Sequence, residues 1–254
     1  MNFFKYNPSY LYRNRQRISL YLYMVINKIF CKITNIKNNC NNIPIIINNR
    51  NHFTYLLRLI SFLEKNNYKN IIILDNASTY KPLLEYYQTC KHRIVYLNEN
   101  LGFMAINKCN LWNEVSNKYF VYTDPDILPI EECPINFIKY FITIMEKDLF
   151  LAKVGFSLKI DDIPDHYSNK EKVINWESQF WKNKRNDGNY SASIDTTFAL
   201  YAPGVKSSFL SITRKHCRTG YPYQARHLPW YEDSDNLPDD IAFYYKNREI
   251  GGNW

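Results

Sequence analysis

Several sequence patterns that identify common enzyme classes are missing from this chain. It contains no Gly-x-Ser-x-Gly sequence, no P-loop and no Gly-x-Gly-x-x-Gly sequence, so the hydrolase, ATPase and dinucleotide-binding classes lose their usual support. None of the six cysteines belongs to a Cys-x-x-Cys pair, which leaves a zinc ribbon unsupported. Glycine occurs only seven times and hydrophobic residues make up 46% of the chain, which excludes collagen-like and disordered compositions.

Acidic residues are absent from positions 1–42, a segment that carries seven Lys and Arg side chains. The whole chain has a formal charge of +8, so the rest of it carries only +1. A basic extension on a near-neutral domain favours contact with an anionic surface such as membrane headgroups. The extension has no nucleic-acid recognition motif, so we expect no nucleic acid as a partner. Its basic residues are Lys5, Arg13, Arg15, Arg17, Lys28, Lys32 and Lys37.

The apolar stretch at 18–30 is interrupted by Asn27 and Lys28. It is too short to cross a bilayer, which takes roughly 20 apolar residues. It also lacks a small-residue cleavage site, so it does not read as a signal peptide. An interfacial amphipathic helix and a helix packed on the domain both agree with the pattern. Without a secretion signal we expect reduced thiols and a cytoplasmic protein, with the membrane surface as its other expected location.

From residue 43 onward, short β-branched runs alternate with segments of helical periodicity. This alternation predicts an α/β fold whose mostly parallel sheet is flanked by helices, with ligands bound beyond the carboxyl ends of its strands. The predicted strands are 43–47, 71–74, 93–97, 119–122, 152–160 and 194–201. The predicted helices are 54–65, 80–89, 103–115, 136–147 and 170–181. From residue 207 we expect loops with short elements.

Asp124 and Asp126 are the strongest functional signal in the sequence. Two carboxylates two residues apart, following a buried strand, can both reach one hard cation. Such a cation can bridge the phosphates of a nucleotide and neutralise charge as a diphosphate leaves. After the second predicted strand, Asp75 and Asn76 precede Ser78, and Asp75 either binds a nucleoside or caps the next helix.

Four linked motifs resemble family 2-like glycosyltransferases of the GT-A fold, in order and in approximate spacing. They are Ile-Ile-Asn-Asn-Arg-Asn at 46–51, Ile-Ile-Ile-Leu-Asp-Asn-Ala-Ser-Thr at 71–79, Asn-Glu-Asn-Leu-Gly-Phe at 98–103 and Tyr-Thr-Asp-Pro-Asp-Ile at 122–127. The resemblance covers 43–128 and implies a Rossmann-like GT-A domain over 43–254. In that domain, 43–128 is the nucleotide-binding half and 129–254 the acceptor-binding half, preceded by the basic extension 1–42.

The resemblance also implies roles for individual residues. It places the nucleotide against Asn48, Arg50, Asp75, Asn76, Asn100 and Gly102, and it assigns the metal and diphosphate to Asp124 and Asp126. His227 is implied as a third metal ligand, and imidazole suits Mn²⁺ better than Mg²⁺. The usual family sequence after the second strand is Asp-Asp-Gly-Ser, from which Asp-Asn-Ala-Ser here departs.

Transfer with inversion needs a base for the acceptor hydroxyl, and three carboxylates are candidates: Asp240, Asp195 and Glu177. Asp240 lies in a late acidic pair like that of the family, Asp195 opens a predicted strand, and Glu177 lies between two tryptophans. Surface charge is the alternative for each. Trp176, Trp181, Trp230 and Tyr231 are candidates for an acceptor platform or for core packing. Arg218 and Arg226 are candidates for phosphate binding or for surface charge.

We therefore expect an inverting hexosyl- or N-acetylhexosaminyltransferase that uses Mn²⁺ or Mg²⁺ and a UDP- or GDP-sugar, with a UDP-sugar favoured. Its acceptor would be a glycan or glycoconjugate hydroxyl. A sugar nucleotidyltransferase is the first alternative, although such enzymes carry a Gly-rich phosphate loop after the first strand, where this chain has Asn48, Asn49 and Arg50. A non-catalytic protein that binds nucleotide sugars or glycans on the same fold is the second.

Overall fold

A computed structural model describes residues 8–33, 36–205, 215–233 and 235–247. Parts of the basic extension (1–7 and 34–35) and of the predicted late loops lie outside these ranges. The helices are α1 (Pro8–Ile33), α2 (Thr54–Lys65), α3 (Lys81–Tyr87), α4 (Leu111–Val115), α5 (Phe137–Lys147), α6 (Lys170–Glu177) and α7 (Asp239–Asn247). The strands are β1 (Ile45–Asn49), β2 (Ile71–Asp75), β3 (Arg93–Tyr96), β4 (Phe120–Thr123), β5 (Ile127–Pro129), β6 (Lys153–Leu158), β7 (Tyr190–Ser191), β8 (Ala199–Tyr201) and β9 (His216–His227).

The strands form a single sheet in the order β3-β2-β1-β4-β8-β6-β9-β5, with β7 paired to β9. The first four strands in this order are parallel, as the alternating sequence predicts. Beyond β4 the sheet is mixed, since β8 runs antiparallel to both β4 and β6. The expectation of a mostly parallel sheet therefore holds for the first half and is corrected for the second.

The prediction was least accurate in the second half. β9 is a 12-residue strand where loops with short elements were expected, and at 194–201 only Ala199–Tyr201 is a strand. β9 pairs with β5, β6 and β7, so its position depends on partners distant in sequence. The helix expected at 103–115 is a 3-10 segment (Gly102–Lys108) followed by α4, and the one at 170–181 is α6 followed by a 3-10 turn.

The core forms where the helices cover the sheet. In α2, the five residues predicted for one face are all buried: Tyr55, Leu56, Leu59, Ile60 and Leu63. α5 places Phe137 and Phe141 against Phe156 of β6, with ring centroids 5.2 and 5.0 Å away. Each such aromatic pair contributes about 0.5–1.5 kcal/mol beyond its buried area. This packing holds β6, and through it β8 and β9, against the parallel half.

α1 packs on the domain along one side. Met24 and Cys31 are buried, and Lys28 reaches inward so that its Nζ donates hydrogen bonds to the carbonyls of Leu149 and Leu151 at 2.9 and 2.7 Å. Within the described ranges, no helix has both the length and the hydropathy needed to span a bilayer. The six cysteines all lie in those ranges, and none forms a disulfide.

Candidate active site

The carboxyl end of β4 leads into the acidic turn Asp124-Pro125-Asp126. The last residue of β4, Thr123, is fully buried, and the turn follows it directly between β1 and β8 in the strand order of the sheet. The backbone N–H of Asp124 donates to the carbonyl of Thr196 at 3.1 Å, and the Thr196 hydroxyl donates to Asp124 Oδ2. One carboxylate of the acidic turn is therefore fixed to a segment of the second half of the chain.

The other carboxylate is held by His227. β5 and β9 pair with Ile127 opposite His227, and the N–H of Leu228 donates to the carbonyl of Asp126 at 2.8 Å. This register brings His227 Nε2 to 3.2 Å from Asp126 Oδ2. The structure thus brings together Asp126 and His227, two of the three predicted metal ligands, which are 101 positions apart in the chain.

The two carboxyl groups of the turn have opposite pKa shifts. Burial, followed by repulsion from Asp126, raises the pKa of Asp124 well above its usual range. Burial also acts to raise the pKa of Asp126, but attraction from His227 and His52 outweighs it and lowers that pKa overall. Carboxylates that repel one another in a buried site titrate as a pair, and a bound cation would favour ionisation of both.

A cleft of about 500 Å³ opens beside the turn. Its wall contains Asp124 and His227 together with two of the predicted bases, Asp195 and Glu177. Aromatic side chains complete it: Trp176, Phe180 and Trp230. The cleft therefore joins the end of β4 to carboxylates and aromatic rings from the second half of the chain.

The two carboxylates in the cleft differ in their surroundings. Asp195 is exposed, and its backbone carbonyl accepts a hydrogen bond from Lys153 Nζ at 3.2 Å. Glu177 is 5% exposed, and its Oε2 lies 2.8 Å from Arg218 Nη1. Burial raises the pKa of Glu177 even though the Arg218 guanidinium opposes the shift. Asp195 is thus open to a ligand in the cleft, whereas Glu177 is engaged in a buried ion pair.

Asp240 lies away from this cleft and caps α2. Its carboxylate accepts hydrogen bonds from the N–H groups of Phe53 and Thr54 at 2.7 and 2.8 Å, and from the Thr54 hydroxyl at 2.7 Å. The first N–H groups of a helix have no partner within the helix, so a buried carboxylate there stabilises the helix start. The structure places Asp240 at this cap and not among the residues that line the cleft.

The residues predicted for the nucleotide-binding half form one network at the ends of β1 and β2. Asn76 Nδ2 donates to the carbonyl of Gly102 at 3.1 Å, and its Oδ1 accepts from the N–H of Leu101 at 2.7 Å. Asn48 Nδ2 is 3.5 Å from the same Gly102 carbonyl, and Asn100 Oδ1 accepts from the Gly102 N–H at 3.0 Å. Gly102 has a φ of +67°, which favours glycine.

Asp75 is 2% exposed and already has partners within the protein. Its Oδ1 accepts from the Tyr87 hydroxyl and its Oδ2 from the N–H of Ser78, both at 3.1 Å. Arg50 donates to the carbonyl of Asn76 at 3.2 Å. In this structure Asp75 therefore stabilises the loop after β2, and its bond to the N–H of Ser78 lies before the start of α3 at Lys81. Tyr96, beside Asp75 at the end of β3, is 59% exposed.

A second cleft of about 360 Å³ shares Ile194, Asp195 and Thr196 with the first. Lys153 lines it, and burial lowers the pKa of that amine to about 8 although Asp195 opposes the shift. The sequence analysis did not identify Thr196, Lys153 or Phe180. Thr196 and Phe180 adjoin residues that were named, whereas Lys153 reaches the site only through the pairing of β6 with β8.

Four other candidates divide between the cleft and the rest of the molecule. Arg218 lines the cleft but is paired with Glu177. Arg226 binds Asp162, with Nη2 and Oδ2 2.6 Å apart, and Tyr231 donates to the same carboxylate at 2.6 Å. Trp181 packs against Tyr190 with the ring centroids 5.0 Å apart. Arg226, Tyr231 and Trp181 therefore have contacts of their own outside the cleft lining.

The acidic turn offers part of the ligand set that a metal ion needs. Within the described ranges, no three His, Cys, Asp or Glu side chains come close enough to hold a metal by themselves. Asp126 Oδ1 and His227 Nδ1 are nevertheless buried with no hydrogen-bond partner among those residues. Mg²⁺ is commonly held by one or two carboxylates with substrate phosphates and water completing its shell. The acidic turn fits a cation bound together with a diphosphate, but not one held by protein ligands alone.

Comparison with known proteins adds little to these observations. No family model matches the chain, and no curated protein is similar to it in sequence. Among the solved structures that it resembles is a cytidylyltransferase from Leptospira borgpetersenii serovar Hardjo-bovis (strain JB197). The two chains are 8% identical, the TM-score is 0.37, and the similarity covers 81% of this chain and 71% of the other. We draw no functional conclusion from a similarity of this size.

Proposed function

We propose that this protein is a glycosyltransferase that transfers a sugar from a nucleoside-diphosphate donor to an acceptor hydroxyl. The observation that carries the proposal is that Asp124, at the end of β4, and the exposed Asp195 line one cleft. A donor diphosphate needs a cation at the end of the nucleotide-binding strands, and an acceptor hydroxyl needs a carboxylate that can take up a proton. Asp124 and Asp195 offer these two functions in one cavity, with Asp126 two residues from Asp124.

The donor lies across the ends of β1, β2 and β4 in this proposal. Asn48, Asn76, Asn100 and Gly102 shape the loop that borders the nucleotide, and Arg50 lies beside it. Asp75 acts by ordering the loop after β2. Tyr96, exposed beside Asp75, offers a ring on which a nucleobase can stack. We favour a UDP-sugar, following the sequence motifs.

Asp124 and Asp126 would hold Mn²⁺ or Mg²⁺ together with the diphosphate, with His227 positioning Asp126. When bound, the cation would supply charge neutralisation for the leaving diphosphate. The protein's own contribution is to keep the two carboxylates together. Thr196 fixes Asp124 and His227 fixes Asp126.

Asp195 is the proposed general base. It accepts the proton of the acceptor hydroxyl as the hydroxyl oxygen bonds to the anomeric carbon. The bond from that carbon to the diphosphate oxygen breaks, and the nucleoside diphosphate leaves, so the product is formed with inversion. Trp176, Phe180 and Trp230 provide apolar surface for the acceptor, which we expect to be a glycan or glycoconjugate. Glu177 maintains the cleft wall through its ion pair with Arg218.

The first test is donor turnover by the purified protein. UDP- and GDP-sugars are incubated with and without Mn²⁺, and release of the nucleoside diphosphate is measured. Asp124→Asn and Asp126→Asn should each abolish the metal-dependent release. Asp165→Asn is the matched control, because that carboxylate is fully exposed and pairs only with Lys170 among the described residues. Undiminished release by both active-site variants would refute the assignment.

The same preparation separates the two alternatives. A sugar nucleotidyltransferase would release pyrophosphate from a nucleoside triphosphate and a sugar phosphate, and would leave nucleotide sugars intact when no pyrophosphate is present. A non-catalytic binding protein would show a higher melting temperature with a nucleotide sugar and no product. Either result would replace the proposal.

A further inference from the structure

A stripe of exposed apolar side chains runs along α1. It consists of Ile18, Leu22, Ile26, Ile29, Phe30 and Ile33, which are 60, 57, 63, 47, 65 and 77% exposed. Steps of three and four residues place these side chains on one helix face, about 22 Å long at 1.5 Å per residue. Contiguous apolar surface of this kind on a water-soluble domain marks an interaction site.

α1 cannot rotate to bury the stripe, because the other side of the helix is fixed to the domain. Met24, Lys28 and Cys31 are buried there, and Lys28 donates to two backbone carbonyls. Tyr23 donates to Asn117 Oδ1 at 3.0 Å, and the rings of Tyr21 and Phe150 meet edge to face at 5.5 Å. These contacts set the rotation of the helix, so the apolar stripe faces away from the core.

The charge of the same segment narrows the choice of partner. Positions 1–42 carry seven basic residues and no acidic ones, and Arg13, Arg15 and Arg17 belong to α1 itself. A second copy of this segment offers no acidic residue in positions 1–42 to pair with these charges. An apolar face on a basic helix is instead complementary to a surface that has an apolar interior beneath anionic groups.

We propose that α1 is an interfacial helix that binds this protein to anionic lipid bilayers. The stripe enters the boundary between headgroups and acyl chains, and the basic residues of the extension other than the buried Lys28 contact lipid phosphates and carboxylates. The helix lies in the membrane plane, since the opposite side remains packed on the domain. The inference depends on α1 alone and holds whether or not the protein is a glycosyltransferase.

The test is co-sedimentation of the full chain with vesicles of phosphatidylcholine, alone or with about 30% phosphatidylserine. We expect binding to the anionic vesicles, at least about tenfold weaker binding to the neutral ones, and release as salt rises from about 50 to about 500 mM. The variant Leu22→Gln/Ile26→Gln should lose binding about tenfold or more, since glutamine keeps the helix while removing apolar surface. Equal binding to both vesicles, or unchanged binding by the variant, would overturn the proposal.

Ile135→Gln is the matched control, because Ile135 is 69% exposed but lies outside α1. It should bind vesicles as the unaltered protein does, and all three proteins should have the same melting temperature. Light scattering tests the rival partner. Suppose that the protein is a dimer, that Leu22→Gln/Ile26→Gln dissociates it, and that the unaltered protein binds neither kind of vesicle. The stripe is then a contact between copies of this chain, and the lipid proposal is wrong.

Discussion

Asp124 and Thr196 are joined by two hydrogen bonds, one from backbone N–H to carbonyl and one from hydroxyl to carboxylate. Asp124 directly follows β4, the last strand of the parallel part of the sheet, whereas Thr196 belongs to the segment that leads into the antiparallel β8. The pair therefore couples the proposed donor site to the residue next to the proposed base, Asp195. A substitution at Thr196 should therefore alter donor binding, even though Thr196 lies outside the four sequence motifs.

Thr196→Val should weaken donor binding. Valine matches the shape of threonine but cannot donate to Asp124, and hydrogen bonds to charged groups contribute about 1.5–3 kcal/mol. We expect the dissociation constant of the nucleoside diphosphate with Mn²⁺ to rise about tenfold or more in isothermal titration. Thr143→Val is the control, since the Thr143 hydroxyl bonds only to a carbonyl of its own helix among the described residues. Equal effects of the two changes would contradict the role of Thr196.

Asp124→Asn should stabilise the protein at neutral pH while removing its activity. The folded state raises the pKa of Asp124, so the folded protein binds a proton more tightly than the unfolded chain. Stability contributed by that proton is complete below the unfolded pKa of about 3.9 and is lost as the pH rises through the folded value. Asparagine does not titrate, so the Asp124→Asn variant does not lose this stability as the pH rises. Its melting temperature should exceed that of the unaltered protein at about pH 7.5, and the difference should shrink towards about pH 4.

Asp126→Asn should have the opposite effect. The pKa of Asp126 is lowered in the folded state, so its stabilising contribution is present above the unfolded pKa and is lost as the pH falls through the folded one. The variant should melt below the unaltered protein at about pH 7.5, and the two should converge in acid. Calorimetry of both variants across this range makes the comparison. Shifts of the same sign for Asp124→Asn and Asp126→Asn at neutral pH would contradict the asymmetry of the pair.

The sequence was sufficient for the parts of the fold that depend on local pattern. α2 begins and ends as predicted, and β1 to β4 lie within two residues of their predicted bounds, because apolar periodicity and buried β-branched runs are local signals. β9 was missed because polar residues such as Arg218 and Gln224 are buried in it. Arg218 is paired with Glu177, and Gln224 lies opposite β6. Both partners are distant in sequence, so a pattern of neighbouring residues does not show them.

The same distinction applies to the candidate site. Asp124 and Asp126 were recognisable because both lie on one turn, whereas Lys153 and Thr196 arrive through pairing of distant segments. Asp240 shows the converse. A carboxylate in a late acidic pair suggests catalysis, yet here it closes the N-terminus of α2, 186 residues earlier in the chain. The sequence cannot distinguish a distant helix cap from a base, because both are carboxylates that need nearby donors.

Asp195→Asn should separate catalysis from binding. If Asp195 takes up the acceptor proton, its loss should lower kcat about 10²- to 10⁴-fold while the dissociation constant of the donor stays unchanged. The matched variant is Glu177→Gln, whose carboxylate lines the same cleft but is engaged by Arg218 at 2.8 Å. Breaking a buried ion pair costs about 3–5 kcal/mol, so Glu177→Gln should lower the melting temperature and keep most of the turnover per folded molecule.

Single-turnover kinetics with a saturating UDP-sugar, together with thermal melting of both variants, distinguish the two roles. A large loss of kcat in Glu177→Gln with little change in Asp195→Asn would exchange their assignments. The raised pKa of Glu177 would then suit a group that takes up a proton. The exposed position of Asp195 beside the aromatic rings of the cleft is the reason to expect the first result. A proton can be taken up by Asp195 without loss of a buried ion pair, whereas Glu177 would have to give up its pair with Arg218.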